Sequence, residues 1–283
     1  MKITRRKFIA SIERLSVLAG AGSAYMRCLE SDWFEVTEKS VRINRFSNPL
    51  RILHLSDFHA SECVSLKTIE KAIDLSLEQQ PDVACVTGDF ITGWLQDIQD
   101  VPQYRRILRK LASAIPTFAC IGNHDGERPA FSRGYKDFSK VGELLRSGGI
   151  HFLSNEKTRV EINHRVFAVA GLDDYRCGDM KPELVLKEKR EEDIPIFVMS
   201  HNPMSRSELM PYDWDVLLCG HTHGGQLVVP IIGYRPFLPA GHRSFPEGLL
   251  SWGNRHIHIT RGIGNLHGLR FNCRPEISML NVA

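Results

Sequence analysis

"PDVACVTGD" (residues 81–89) opens on a proline, runs through Val83, Ala84, Cys85 and Val86, and stops at a glycine followed by a carboxylate. A short apolar run bounded by turn formers reads as a strand buried on both faces, the kind found in parallel sheets. The same grammar recurs on either side. "LRILHLS" (50–56) leads into Asp57 and His59, and "IPTFACIGN" (115–123) leads into Asn123, His124 and Asp125. "IPIFVMSHN" (194–202) carries His201, and "WDVLLCGH" (214–221) ends on His221, with His223 two residues beyond. Between the first two runs, Leu66, Ile69, Ile73 and Leu77 fall at helical spacing within residues 65–79. Residues 103–113 and 137–147 also read as helices. The segments 158–163 and 166–171 read as a strand pair joined near Asn163-His164, and 256–260 and 276–282 as late strands. This alternation predicts an α/β domain over residues 48–283, with strands in two sheets and helices outside. Residues 124–137, 173–182 and 230–252 are the least regular, and no internal repeat or interdomain linker is visible.

The chain has 283 residues, 42% hydrophobic and 24% charged, enough for one large domain with a substantial core. Its net charge of +3 is too mild to indicate nucleic acid, and no nucleic-acid partner is expected. Seven cysteines form no CxxC pair, and Cys85, Cys120 and Cys219 lie inside apolar runs. Reduced, buried thiols are expected rather than a disulfide framework. No GxSxG is present, so a serine nucleophile triad is not supported.

Residues 1–47 form a separate lead-in. Lys2, Arg5, Arg6 and Lys7 precede an apolar stretch, and "TRRKFI" is similar to a twin-arginine export signal, with Ala19-Gly20-Ala21 as a small-residue cleavage site. Glu13 and Arg14 interrupt that stretch, and the uncharged run from Leu15 to Met26 is 12 residues, short of the ~20 needed to span a bilayer. A second reading is a basic amphipathic helix lying on a membrane, with Phe8, Ile12, Leu15 and Ala19 on one face. A third is an inert leader. Trp33 and Phe34 follow closely and suit a membrane interface. A peripheral inner-membrane position on the cytoplasmic face is favoured, because Glu13 and Arg14 break the apolar core that an export signal needs.

The chemistry lies in what the strand ends deliver. Taken singly, Asp57, Asp89 and Asn123 also read as turn or helix-cap residues, and His201 as a hydrogen-bonded histidine. Taken together, five strands bring two carboxylates, imidazoles and an amide to one edge, where α/β sheets place their ligands. Four imidazoles, two carboxylates, one amide and no thiolate suit manganese, iron, cobalt or zinc better than calcium or magnesium. Two such ions leave a site with excess positive charge that attracts a phosphate ester.

The ordered set D-x-H, G-D, G-N-H-D, H and G-H-x-H resembles the calcineurin-like metallophosphoesterase family, and no block departs from its pattern. The resemblance implies a four-layer sandwich of two mixed β-sheets flanked by helices, with two divalent metal ions at the strand ends. By position it assigns Asp57, His59 and His223 to one ion, Asn123, His201 and His221 to the other, and Asp89 to both. His124 is implied to stabilise or protonate the leaving oxygen, with Asp125 orienting it. "SHNP", "CGHTHGGQL" and "TRGIGNLHGLRFNCRPEISML" are similar to the YaeI-like bacterial phosphodiesterase group, and a related branch, LpxG-type, hydrolyses UDP-2,3-diacylglucosamine in lipid A synthesis. The expectation is a binuclear-metal phosphodiester or diphosphate hydrolase, manganese first among the ions, with a lipid-linked substrate at a membrane surface. Phe131, Arg133, Tyr135 and Lys136, and Tyr234, Arg235, Phe237 and Arg243, mix aromatic and basic character that suits an acyl chain and a diphosphate. A phosphomonoesterase, including a protein phosphatase, is the alternative. A non-catalytic metal-binding scaffold would require a missing ligand or a missing His124. The oligomeric state is not legible.

Overall fold

The strand and helix grammar becomes two sheets with helices outside. The structure is a computed structural model, and it describes residues 22, 24–43, 49–127, 137–188 and 194–283. The chain runs through β1 (Glu35–Val41), β2 (Leu50–Leu55), α1 (Leu66–Leu77), β3 (Val83–Thr87), α2 (Val101–Ala114), β4 (Thr117–Cys120), α3 (Ser139–Ser147) and β5 (His151–Phe152). It continues through β6 (Glu156–Ile162), β7 (Arg165–Gly171), α4 (Pro182–Leu186), β8 (Ile196–Met199), α5 (Arg206–Leu209), β9 (Val216–Cys219), β10 (Gly248–Trp252), β11 (Arg255–Ile259) and β12 (Glu276–Val282).

The first sheet has the order β1-β12-β2-β3-β4-β5, the second β10-β11-β9-β8-β7-β6. Both are mixed. β2, β3, β4 and β5 are parallel, while β12 runs antiparallel to β2 and parallel to β1. In the second sheet β7, β8, β9 and β11 are parallel, and β6 and β10 close the edges antiparallel. The β6–β7 hairpin turns on Asn163 and His164, both at positive φ, as a tight two-residue hairpin requires.

The alternation of side chains along each strand builds the layers. Ile52, Val83, Cys85 and Phe118 of the first sheet meet Val169, Phe197, Met199 and Leu218 of the second. On the other face of the first sheet, Leu53, Leu55, Val86 and Ala119 pack against Ile69, Ile73, Leu108, Leu111 and Leu145 of α1, α2 and α3. The outer face of the second sheet is covered by Val185, Leu186, Leu209 and Trp214. Each such buried side chain contributes roughly 1.5–3 kcal/mol. Capping fixes where the helices begin: the Ser65 side chain accepts from the Thr68 N–H, and Asp100 accepts from the Gln103 N–H.

Two elements fall outside the sequence reading. β1 lies in the segment read as a lead-in, and it pairs along its whole length with β12. β10 falls within 230–252, read as irregular, and it forms the edge beside β11. The N-terminal readings rest on residues 1–26, of which 1–21 and 23 lie outside the described residues. Among the described residues, no helix is long and apolar enough to cross a membrane.

Candidate metal centre

The parallel strands of both sheets end at one place, and the residues following them converge there. Asp57 and His59 follow β2, Asp89 follows β3, and Asn123 and His124 follow β4; His201 follows β8, and His221 and His223 follow β9. Asp57, His59, Asp89, Asn123, His201 and His223 are all buried. Three sets of potential ligand atoms each lie within 4.8 Å of one another: Asp57, His59 and His223; His59, Asp89 and His124; Asp89, His201 and His221. His59 Nε2 is 3.1 Å from His223 Nε2 and 3.5 Å from Asp89 Oδ2. His201 Nε2 is 3.0 Å from Asp89 Oδ2 and 3.3 Å from His221 Nδ1. Asp89 is thus the side chain common to both ends of the cluster.

Local backbone strain makes this convergence. Asp57, His59, Asp89, His221 and His223 all have φ between 50° and 71°, a left-handed conformation that costs a non-glycine residue about 1–3 kcal/mol. The strain is held by specific contacts. The His221 N–H donates to the Asp57 carboxylate at 3.1 and 3.2 Å. The Asp57 N–H donates to the Gly88 carbonyl, and the His59 N–H to the Asp89 carbonyl. Gly220 and Gly122 must be glycine because the neighbouring turns pass so close. A Cβ on Gly220 would overlap Asp57 and Ser56, and one on Gly122 would overlap Asp89.

The surrounding groups set which ring nitrogen faces inward. His201 Nδ1 donates to the Thr87 carbonyl at 2.6 Å, so Nε2 is the ring atom that faces the cluster. The Thr92 hydroxyl donates to the His59 carbonyl and accepts from His59 Nδ1 at 3.2 Å, which again leaves Nε2 for the cluster. His124 Nδ1 donates to the Thr92 carbonyl at 2.8 Å. Behind this layer, His54 Nε2 donates to the Thr87 hydroxyl at 3.0 Å, and His54 Nδ1 accepts from His258 Nδ1 at 2.8 Å across the gap between the sheets.

The electrostatics favour cations. Burial works to raise Asp57, but His223 and His201 overcome it and hold the carboxyl below its usual range. Asp89 is likewise held well down, burial being outweighed by His201 and His124. Burial would lower His201, yet Asp89 and Asp57 lift it to about 10. Burial pushes His223 down to about 3 and lowers His221. Two buried, ionised carboxylates that draw positive charge onto His201 are, with the imidazole nitrogens around them, a donor set that fits divalent metal ions of the imidazole-binding kind.

Asp125 behaves differently from the expectation that it orients the His124 ring. Its buried carboxylate accepts from four backbone N–H groups, those of Asp89, Phe90, Ile91 and Gly122, at 2.7–3.3 Å. It fastens the turn after β3 to the turn after β4, and the ring of His124 is held by Thr92 instead. Burial and the charge of Asp89 push the Asp125 carboxyl up to about 7, against the pull of those N–H groups.

Several contributors had no signal in the sequence. Thr92 is an ordinary threonine of a turn. Arg270 is fully buried and donates to the carbonyls of Arg261, Gly262, Gly264 and Cys273, tying the last loop to the back of the site. His242, from the stretch read as irregular, places its ring 5.3 Å from that of His221. Of the residues suggested for a lipid-linked substrate, Phe131, Arg133, Tyr135 and Lys136 lie outside the described residues. Tyr234 and Phe237 are exposed, Arg243 stacks on Tyr234, and Arg235 is committed to Glu247 at 2.6 Å and to the Gly224 carbonyl.

Two mixed sheets with a buried His/Asp cluster at their strand ends define a metallophosphoesterase, and residues 50–225 match the calcineurin-like phosphoesterase family; the chain belongs to that family and is a hydrolase of phosphoester bonds. It is similar to phosphodiesterase YaeI of Escherichia coli, 39% identical over 99% of each chain. It is also similar to the metallophosphoesterase YkuE of Bacillus subtilis, 28% identical over 99% of this chain and 98% of that one. The UDP-2,3-diacylglucosamine pyrophosphatase LpxG of Chlamydia trachomatis is 23% identical over 82% of this chain and 83% of its own.

Proposed function

We propose that the protein hydrolyses a phosphodiester or diphosphate bond with two divalent metal ions, manganese first among them. Asp57, His59 and His223 would hold one ion, Asn123, His201 and His221 the other, and Asp89 both. The observation that carries this reading is the sharing of Asp89 between its neighbours His59 and His201, with the Nδ1 of each of those rings turned away and bonded. When bound, the ions supply Lewis-acid charge to the phosphate and acidify the attacking water. The chain's own residues do the rest. His124 is anchored through Nδ1 to Thr92, so Nε2 is the atom that would hand a proton to the leaving oxygen. Burial lowers its pKa, and a bound phosphate would raise it again toward neutrality by its negative charge. Asp125 keeps Asp89 and His124 in register by holding the two turns together.

A diester or diphosphate is preferred over a monoester on the strength of the relatives, one named a phosphodiesterase and another a pyrophosphatase. Support for a lipid-linked substrate such as UDP-2,3-diacylglucosamine comes from the second of these and from the exposed aromatic residues Tyr234 and Phe237, which flank Arg235, itself bonded to the Gly224 carbonyl. The favoured location is the cytoplasmic face of the inner membrane, held by the basic N-terminal segment. The free cysteines at 63, 85, 120, 177, 219 and 273 support a reducing compartment. The test is hydrolysis by manganese-loaded protein of bis-p-nitrophenyl phosphate against p-nitrophenyl phosphate, followed by product analysis with UDP-2,3-diacylglucosamine. Preference for the monoester would overturn the diester assignment. A reporter that works only after export, fused after residue 40, should stay silent.

A further inference from the structure

The loop that follows the metal centre ends in an apolar tip with nothing in the described protein to cover it. Val229 donates to the Tyr234 carbonyl at 2.8 Å and Gly233 to the Val229 carbonyl at 2.9 Å, closing a tight finger. At its tip Ile232 donates to the Pro230 carbonyl at 2.8 Å, so Ile231 sits at the centre of a γ-turn with φ 71°. That turn is the strained form, and a β-branched residue is the least suited to it. Ile231 is fully exposed and Ile232 72% exposed, with Phe237 at 65% and Tyr234 at 48% just behind. Strain and solvent exposure of isoleucine are both unfavourable, and both act at one point.

We propose that this finger inserts into the interfacial layer of a lipid bilayer and holds the metal centre against the membrane surface. A flat lipid surface fits better than an acyl chain in a groove, because Ile231 projects clear of the protein and has no walls around it. Tyr234 with Arg243 stacked on it, 5.7 Å from ring to guanidinium, is the pairing of aromatic and basic residues suited to headgroup depth. The start of the described chain leaves from the same spot. Leu227 at the finger's base bridges to Phe271, whose ring meets Tyr25 edge-on at 6.4 Å, and Arg270 donates to the Met26 carbonyl. The preceding residues carry Lys2, Arg5, Arg6 and Lys7, which suit an anionic surface. The finger is also tied to the site: Arg235 on its returning limb donates to the carbonyl of Gly224, next to His223. Insertion at Ile231 and Ile232 would therefore fix the height of the metal centre over the bilayer.

This deepens the membrane-surface reading and rests on it, while the hydrolytic reading is tested separately in the same experiment. The full chain and its I231N/I232S variant are sedimented with vesicles of phosphatidylethanolamine and phosphatidylglycerol, and both are assayed on bis-p-nitrophenyl phosphate without lipid. Asparagine tolerates the left-handed backbone at 231, so the variant should unfold at the same temperature or slightly higher. The expected result is a vesicle partition weaker by about tenfold or more, in keeping with the loss of two large apolar side chains, and unchanged diester hydrolysis. Equal partition of the two proteins overturns the proposal, whichever other property changes, and leaves the hydrolytic reading intact. So does failure of the wild-type chain to bind vesicles. A variant that turns a dimer into a monomer without losing vesicle binding assigns the finger to a second copy and overturns it too. Loss of acyl-substrate turnover in detergent at unchanged partition assigns it to the substrate, with the same consequence.

Discussion

Replacing Asp125 with asparagine separates a structural clamp from a catalytic orienter. Each carboxylate oxygen of Asp125 serves two backbone donors: Oδ1 those of Phe90 and Ile91, Oδ2 those of Asp89 and Gly122. Asparagine keeps one oxygen and turns the other into an amine that can only donate. Whichever way the amide points, two buried N–H groups lose their acceptor and face another donor. With the carboxyl pushed up to about 7, the comparison is made above about pH 8, where it is ionised; hydrogen bonds to a charged group are worth about 1.5–3 kcal/mol each, so the loss is about 3–6 kcal/mol. For a chain of this length that is roughly 2 °C per kcal/mol, or a fall in Tm of about 6–12 °C. Thermal unfolding followed by circular dichroism on metal-loaded protein measures it, with urea unfolding as the second measurement. If instead Asp125 acted through the ring of His124, Asp125→Asn would leave Tm in place and reduce turnover to the level of His124→Ala. Adding His124→Ala to it would then cost nothing more. That outcome would refute the clamp.

Asp89→Ala should lose both ions and all activity, because the carboxylate faces both halves of the cluster; elemental analysis showing two ions retained would sink the shared role. His124→Ala should keep both ions and lose about 100-fold in turnover, the usual size of a general-acid contribution; loss of an ion on elemental analysis would make it a ligand instead. Chelation should lower Tm and manganese restore it, since Asp57 and Asp89 are buried and ionised, and an unchanged Tm would argue against resident ions. Burial pushes His258 down to about 4, against about 6.5 in the unfolded chain, so the folded state keeps it neutral while the unfolded state takes up a proton. Its contribution is present above pH 6.5 and is lost as pH falls toward 4, about 3 kcal/mol in all. His258→Gln should flatten that limb of the urea stability curve, and an unaltered slope would contradict the shift.

The seven candidate ligands were legible because a doubly buried strand leaves an unmistakable trace. An apolar run such as "VACV" or "VLLC" admits polar residues only where it ends, so glycine, aspartate and histidine there stand out. β1 left no such trace. "EVTEKSV" is polar, half exposed, and an edge strand whose partner comes from the far end of the chain. β10 is also an edge strand, partly exposed throughout. The role of Asp125 was misread for a related reason. Sequence neighbourhood suggested His124 as its partner, whereas the carboxylate turns toward the backbone of a loop 34–36 residues earlier. Backbone strain at Asp57, His59, Asp89, His221 and His223 is invisible in residue identity, since it is imposed by contacts between turns. Arg270 gave no sign of burial, because a guanidinium among carbonyls is a property of the loop that surrounds it.

The last strand among the described residues is an interior strand. β12 lies between β1 and β2, and its neighbourhood reaches the centre: Glu276 donates to the Gly262 carbonyl, Ile263 to that of Ser56, and Gly264 to that of Asp57. β1 and β2 (Glu35–Val41 and Leu50–Leu55) are synthesised long before β12 (Glu276–Val282), the strand that joins them. The first sheet must therefore wait with a gap one strand wide, its apolar edges open to other chains. The turn carrying Asp57 cannot be braced from behind until that gap is filled. Bracing of the Asp57 turn is thus a late event of folding, and it depends on residues 262–264 and 276 rather than on the turn's own sequence neighbours.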